Sequence, residues 1–285
     1  MINETYTLSN GVKIPKLGLG TWFIDDDKAA QAVREAVKLG YRLIDTAQAY
    51  GNERGVGEGI RTCGVDRDQL FVTTKLAAEI KSYDEAVKAI DGSLKLMGLD
   101  YIDMIIIHSP QPWVNVNQSA DRFFEGNLEA WRALEEAYKA GKLRAIGVSN
   151  YQPEHLRTII EATGVTPAVN QVEINPYLTQ EPLRALHAEL GIVTEAWSPL
   201  GRRADLDDSV IVGIAERLGR TPAQVILRWH IQRGIIVFPK ASSPERLREN
   251  ADIFDFELSA DDMTAIDGVD SGNRVGSNPE TMNRR

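Results

Sequence analysis

Polar side chains stand at the ends of successive apolar runs in this 285-residue chain. YRLID ends on Asp45, LFVTTK on Lys75, DYIDMIIIH on His108 and KLRAIGVS on Ser149 with Asn150 behind it. The next three runs end at Gln171, at Trp197 and at Lys240. Tyr50 follows Asp45 by five residues, close enough to lean back over the same rim. Any one of Asp45, Lys75 or His108 alone reads as an ordinary cap or loop residue. Together they make a chemical set, because burying so many polar groups without a purpose is expensive. An ammonium beside a phenol favours the phenolate, which lowers the phenol pKa from about 10 and makes it a better acid. A neutral imidazole that donates one N–H orients a carbonyl oxygen and steadies charge developing on it. The types present therefore suit proton transfer to an oxygen.

The elements that must position this set repeat one unit. Seven times a strand-like run follows a glycine that closes a helical pattern. The clear copies are KLG-YRLID, MGL-DYIDMIIIH, KAG-KLRAIGVS, ELG-IVTEAW and QRG-IIVFPK; weaker ones follow Gly64 and Gly164. With the opening KLGLG the count is eight strands. Amphipathic helices lie between them, as where Val87, Ile90, Leu94 and Met97 share one face. Such alternation predicts a parallel sheet covered by helices, and eight units favour a closed (β/α)8 barrel over an open sheet. A barrel of this kind carries its active site at the C-terminal strand ends, where the polar residues fall. TYTLSNGVKIP reads as an N-terminal β-hairpin, and the stretch after Val269 as a C-terminal tail over the mouth.

Composition fits one barrel domain over residues 1–285, with 43% hydrophobic and 26% charged residues and no Pro-, Gly- or Ser-rich linker. No apolar run nears the roughly 18 residues that cross a bilayer, and the N-terminus lacks the regions of a signal peptide. The single cysteine, Cys63, agrees with a reducing compartment, so a cytoplasmic location is expected. The triplets Asn3-Glu4-Thr5 and Asn117-Gln118-Ser119 are then idle as glycosylation sites. A net charge of −9 opposes nucleic acid and anionic membrane as partners, so a phosphate ligand needs a local basic pocket. His155, His187 and His230 sit in helical patterns without metal-ligand spacing and read as structural or solvated. Gly55-Val56-Gly57-Glu58-Gly59 has the wrong spacing for a dinucleotide-binding fingerprint.

The blocks GLGTW at Gly18, YRLIDTAQAYGNE at Tyr41, TTK at Thr73, IIIHSP at Ile105, IGVSN at Ile146, NQVEINPY at Asn170, AWSPLG at Ala196 and FPKASSPERLREN at Phe238 run through all eight units. In order and spacing they resemble the aldo-keto reductases over nearly the whole chain, most of all the bacterial branch of 2,5-diketo-gluconate reductases and similar aldehyde reductases. The resemblance implies an NADPH-dependent reduction of aldehydes or ketones. Tyr50 would be the proton donor, Lys75 the ammonium beside it, Asp45 the partner holding that ammonium, and His108 the group orienting the carbonyl. It implies that Ser149, Asn150 and Gln171 bond the nicotinamide carboxamide and that Trp197 stacks on the ring. Gly20 and Thr21 would border the cofactor with Asp45, and Ser198 and Leu200, with the loop Gly201-Arg202-Arg203, would lie near the pyrophosphate. Lys240, Ser243, Arg246, Glu249 and Asn250 match the segment that grips the adenosine end, with the basic pair facing the 2′-phosphate.

Two departures stand out. Ala241 replaces a usual serine, which removes one phosphate hydrogen bond and leaves NADPH favoured over NADH rather than exclusive. Ser109 follows His108 where relatives commonly have tryptophan, which enlarges the pocket. Trp22, Tyr50, His108, Trp113, Phe123 or Phe124, and the tail from Val275 to Met282 are expected to line an apolar substrate pocket. The expected species is a monomer acting on a small carbonyl compound without a metal. Two other classes compete: an NADPH-binding redox sensor with little turnover, and a metal-dependent barrel hydrolase using Asp45 and His108. The sensor lacks an interaction extension, and the hydrolase lacks a ligand cluster.

Overall fold

The computed structural model describes Ile2 and residues 4–115, 121–241 and 243–279. Asn3 and the 117–119 triplet lie outside these residues, as does the tail beyond 279. A hairpin of β1 (Thr5–Thr7) and β2 (Lys13–Pro15) opens the chain. Eight parallel strands follow: β3 (Gly18–Gly20), β4 (Leu43–Asp45), β5 (Phe71–Leu76), β6 (Ile102–Ile107), β7 (Leu143–Ser149), β8 (Val169–Glu173), β9 (Val193–Trp197) and β10 (Ile236–Val237). The helices are α1 (Asp26–Lys38), α2 (Glu53–Thr62), α3 (Tyr83–Met97), α4 (Phe124–Lys139), α5 (Pro153–Thr163), α6 (Glu181–Leu190), α7 (Ser209–Leu218), α8 (Pro222–Gln232), α9 (Pro244–Ala251) and α10 (Ala260–Asp267).

Each strand pairs with its predecessor, and parallel bridges Leu17–Val237 and Gly20–Lys240 join the first to the last, so the sheet closes as a (β/α)8 barrel. Gly20 is what the seam requires: a Cβ there would lie 2.3 Å from the Phe238 carbonyl oxygen. All seven glycines of the repeat take positive φ, from +65° at Gly98 to +100° at Gly40. Such backbone ends a helix at little steric cost only for glycine, and the chain turns there into the next strand.

The barrel strands are almost continuously buried, as expected where helices cover the outside and side chains fill the inside. Leu43, Phe71, Met104, Ile106, Ala145, Val169 and Ile236 fill the interior with Ile14 and Leu8 of the hairpin region, which closes the floor. Between strands and helices lies a second, larger apolar cluster built on Val33, Ile44, Val72, Ile105, Trp131 and Trp229. Gly55, Gly57 and Gly59 sit inside α2, where added Cβ atoms would meet the Asp26 carbonyl oxygen at 2.0 Å, the Met97 carbonyl oxygen at 2.2 Å and Val33 at 2.7 Å. They let α2 approach its neighbours, which explains a glycine pattern without a phosphate loop. Among the described residues no helix is long and apolar enough to cross a membrane.

Candidate active site

The strand ends open into a cavity of about 720 Å³, lined by Asp45, Tyr50, His108, Ser149, Asn150, Gln171 and Trp197 among others. β4 and β5 bring Asp45 and Lys75 together inside the barrel, where the Lys75 ammonium donates to Asp45 Oδ2 at 2.5 Å and to the Thr46 carbonyl at 2.9 Å. Both are buried, Lys75 completely. Burial works against the Lys75 charge, but the Asp45 carboxylate and the Tyr50 oxygen outweigh it and hold the ammonium protonated. Burial pushes Asp45 up, while Lys75 and Gln171 pull it back; with an ammonium at 2.5 Å we take the pair as ionised.

Tyr50 stands on a short 3-10 turn after β4, and Gly51 at φ +68° turns the chain toward α2. The Lys75 nitrogen lies 4.9 Å from the centre of the Tyr50 ring, and the Tyr50 and His108 rings are 5.8 Å apart, edge to face. The phenol pKa is raised: desolvation of the phenolate outweighs the downward pull of Lys75, and Asp45 adds to the rise. The lowered phenol pKa expected from the ammonium alone does not hold in this site, because a buried phenolate loses more hydration than one cation restores. The hydroxyl is thus firmly protonated at neutral pH. Burial, helped by Lys75, holds His108 well below its ordinary value, so the imidazole is neutral, and its Nδ1 has no hydrogen-bond partner among the described residues.

The neighbouring amides and hydroxyls lock one another. Ser149 Oγ donates to the Gln171 carbonyl, and Asn150 Nδ2 donates to the His108 carbonyl at 2.9 Å and to Ser149 Oγ at 3.1 Å. Asn150 Oδ1 accepts from Trp197 Nε1 at 2.9 Å, fixing the indole at the cavity wall. Asn150 and Ser198 hold positive φ (63° and 50°), a strained backbone for these residues at a mouth where strain is often spent on function. Gln171 lies mid-strand rather than at a strand end, one inward turn below Glu173. Its Nε2 donates to Asp45 Oδ1 at 3.0 Å and to Glu195 Oε2 at 2.9 Å.

Glu195 is the residue that strand-end reading misses. It sits inside IVTEAW, fully buried, and burial raises its carboxyl to about 8. The signal was present: a carboxylate within an apolar strand run.

Other expected residues divide. Gly20, Trp22, Ser109, Trp113, Ser198, Leu200, Arg202, Arg203 and Lys240 line the cavity, as do Gly276, Ser277 and Pro279 of the tail. Glu173 accepts from the Val275 and Gly276 amides, pinning that tail over the mouth. Thr21 is buried below the rim, donating its hydroxyl to the Asp45 carbonyl. Ser243, Arg246, Glu249 and Asn250 are not in the cavity wall but on or at the start of α9, just past Lys240; Ser243 caps that helix and Glu249 accepts from Thr221. Phe123 and Phe124, expected in the pocket wall, do not line the cavity, and Phe124 instead packs on His155 with ring centres 5.0 Å apart. His155, His187 and His230 are buried, hydrogen-bonded and each held down at about 4 by desolvation, hence structural rather than solvated. Among the described residues no group of three or more His, Cys, Asp or Glu side chains could hold a metal ion.

A family model described as "Aldo/keto reductase family" matches residues 16–271. The chain is 48% identical to an aldo-keto reductase of Mycolicibacterium smegmatis, over 97% of each. It is 45% identical to 2,5-diketo-D-gluconic acid reductase B of a Corynebacterium species, again over 97% of each. A solved structure of a Gox0644 mutant in complex with NADPH superimposes with a TM-score of 0.90 at 43% identity, over 98% of both chains.

Proposed function

The chain belongs to the aldo/keto reductase family, and from that premise we propose that it reduces aldehydes or ketones to alcohols with NADPH, Tyr50 giving its proton to the substrate oxygen. The observation that carries this reading is the buried Lys75 ammonium, 2.5 Å from Asp45 and 4.9 Å from the Tyr50 ring centre, at the mouth that His108 shares.

The donor set suits the cofactor: amides and a hydroxyl around a fixed indole for a nicotinamide, and Arg202, Arg203 and Lys240 for its phosphates on a chain that is otherwise acidic. NADPH, when bound, supplies a hydride to the carbonyl carbon. Ser149, Asn150 and Gln171 would hold the carboxamide, and the Trp197 face would set which side of the ring meets the substrate. Gly20, with Thr21 buried behind it, would border the nicotinamide half, and Ser198, Leu200, Arg202 and Arg203 would lie near the pyrophosphate. Lys240, Ser243, Arg246, Glu249 and Asn250 would receive the adenosine end, with Lys240 and Arg246 as the basic pair for the 2′-phosphate, which would make NADH the poorer cofactor.

The protein residues then handle the oxygen. Neutral His108 donates to the carbonyl and holds it toward the Tyr50 hydroxyl. As negative charge grows on that oxygen, the Tyr50 proton moves to it, and the tyrosinate left behind faces the Lys75 ammonium. That ammonium favours the ionised phenol at the moment it forms, and Asp45 keeps the ammonium in place. Trp22 and Trp113, both about two-fifths exposed, border the substrate side with Ser109 and the tail.

Aldehydes, α-keto esters and diketo sugars are the substrate classes to try. Steady NADPH oxidation with any of them supports the enzyme, whereas tight NADPH binding with negligible turnover across the panel favours a redox-sensing subunit. A single barrel acting as a monomer in the cytoplasm is the working species, with a small carbonyl compound as its partner, no metal and neither nucleic acid nor membrane.

A further inference from the structure

Lys81 takes no part in the chemistry above, yet its half-buried ammonium meets in hydrogen bonds, among the described residues, oxygens that are neutral. It stands in the loop between β5 and α3 and donates to the Ser109 carbonyl at 2.9 Å and to Asn127 Oδ1 at 2.8 Å. Asn127, on the first turn of α4 and almost fully buried, passes the contact on by donating from Nδ2 to the Pro110 carbonyl at 3.0 Å. Two residues before Lys81, Glu79 Oε1 accepts from the Trp113 amide at 3.1 Å. α4 closes against the stem of the lysine: a Cβ on Gly126 would lie 2.7 Å from Lys81 Cβ.

These bonds converge on residues 109–113, directly after His108. That short segment supplies Ser109 and Trp113 to the cavity wall, and the Trp113 ring lies 4.6 Å from the His108 ring. A methionine or leucine would fill the space of Lys81 without stranding a charge. Desolvation pushes this ammonium down to about 7, only partly opposed by Glu79, so holding it charged here has a cost. What it offers instead is a donor that reaches two chain segments at once.

We propose that Lys81 is a positioning residue for substrate choice: through Ser109 directly, and through Asn127 to Pro110, it fixes the stance of the His108–Trp113 segment and so the width of the pocket. The inference rests on the reductase reading for its activity test but has a second readout that does not. In Lys81→Met, kcat/KM for a bulky aromatic aldehyde is expected to change relative to that for glyoxal by about tenfold, the scale on which pocket contacts discriminate. The change should sit mainly in KM, NADPH affinity measured by fluorescence quenching should stay within about twofold, and Lys81→Arg should restore most of the original ratio. Hydrogen exchange read by mass spectrometry should quicken in residues 108–113 of Lys81→Met and not in the rest of the barrel. Asn127→Leu should reproduce both effects should Lys81→Met fail to fold. An unchanged substrate ratio, or unchanged exchange in residues 108–113, overturns the proposal; a wild-type protein that fails to oxidise NADPH with any carbonyl compound of the panel sinks the reductase reading and leaves the exchange result to decide on Lys81.

Discussion

At the scale of single residues the site is an exercise in keeping protons where they are needed. Burial makes Tyr50 a reluctant acid and His108 a neutral donor, while Asp45 and the Tyr50 oxygen keep Lys75 a cation against it. Removing the ammonium should therefore hurt more than removing a surface charge. Lys75→Met is expected to lower kcat by at least about a hundredfold, the range general-acid contributions span, while NADPH titration still reports binding; a kcat within threefold of wild type contradicts the role given to the ammonium. Glu195 gives a pH prediction whose sign follows from its shift. The folded carboxyl titrates at about 8, against 4.5 for the free group, so the stability it contributes is complete below about 4.5 and is lost as pH rises through 8. Asp45 and Lys75 are the charged groups acting on it, through the interior, and Gln171 of β8 is its hydrogen-bond partner. Glu195→Gln keeps that acceptor and cannot ionise. It is expected to flatten the fall in Tm between pH 5 and 8, each 1 kcal/mol recovered being worth roughly 2–4 °C; identical Tm profiles in the two proteins would place the titration elsewhere.

At the scale of elements much of the architecture is legible, for a physical reason. Glycine at a left-handed helix end and an apolar run after it are local properties, so Gly40, Gly98, Gly141, Gly191 and Gly234 announce their turns without tertiary information. The polar strand ends are legible for the same reason, since one carboxylate or lysine closing an apolar run is a break in a pattern. Less legible are residues whose meaning depends on a neighbour far along the chain. Phe124 turns away from the cavity to reach His155, Lys81 looks like one more loop cation until Ser109 and Asn127 meet it, and Gln171 sits below the rim because β8 runs on to Glu173. The α2 glycines belong to this class too, as their spacing serves the backbones of α1 and α3. Gly57→Ala should destabilise the fold by about 1–3 kcal/mol through overpacking against Met97, seen as a lower urea midpoint. A midpoint equal to wild type would mean that α2 has room to shift.

For the whole molecule, closing the sheet converts eight separate strand ends into one mouth. The seam at Gly20 brings the first strand beside Lys240, and the tail held by Glu173 covers the side next to Trp197, where a Cβ on Gly276 would lie 2.3 Å from the indole. Groups distant in sequence, from Asp45 on β4 to Glu195 on β9, thereby share one buried network through Gln171. In the proposed reaction this network serves a single proton delivered by Tyr50. Tyr50→Phe removes one oxygen and keeps the ring that packs beside His108. With the best aldehyde of the panel, the variant should bind NADPH within about threefold of wild type and lose turnover by a hundredfold or more, as expected for a group acting only in the transition state. Retained turnover in a folded, NADPH-binding Tyr50→Phe protein would contradict the account.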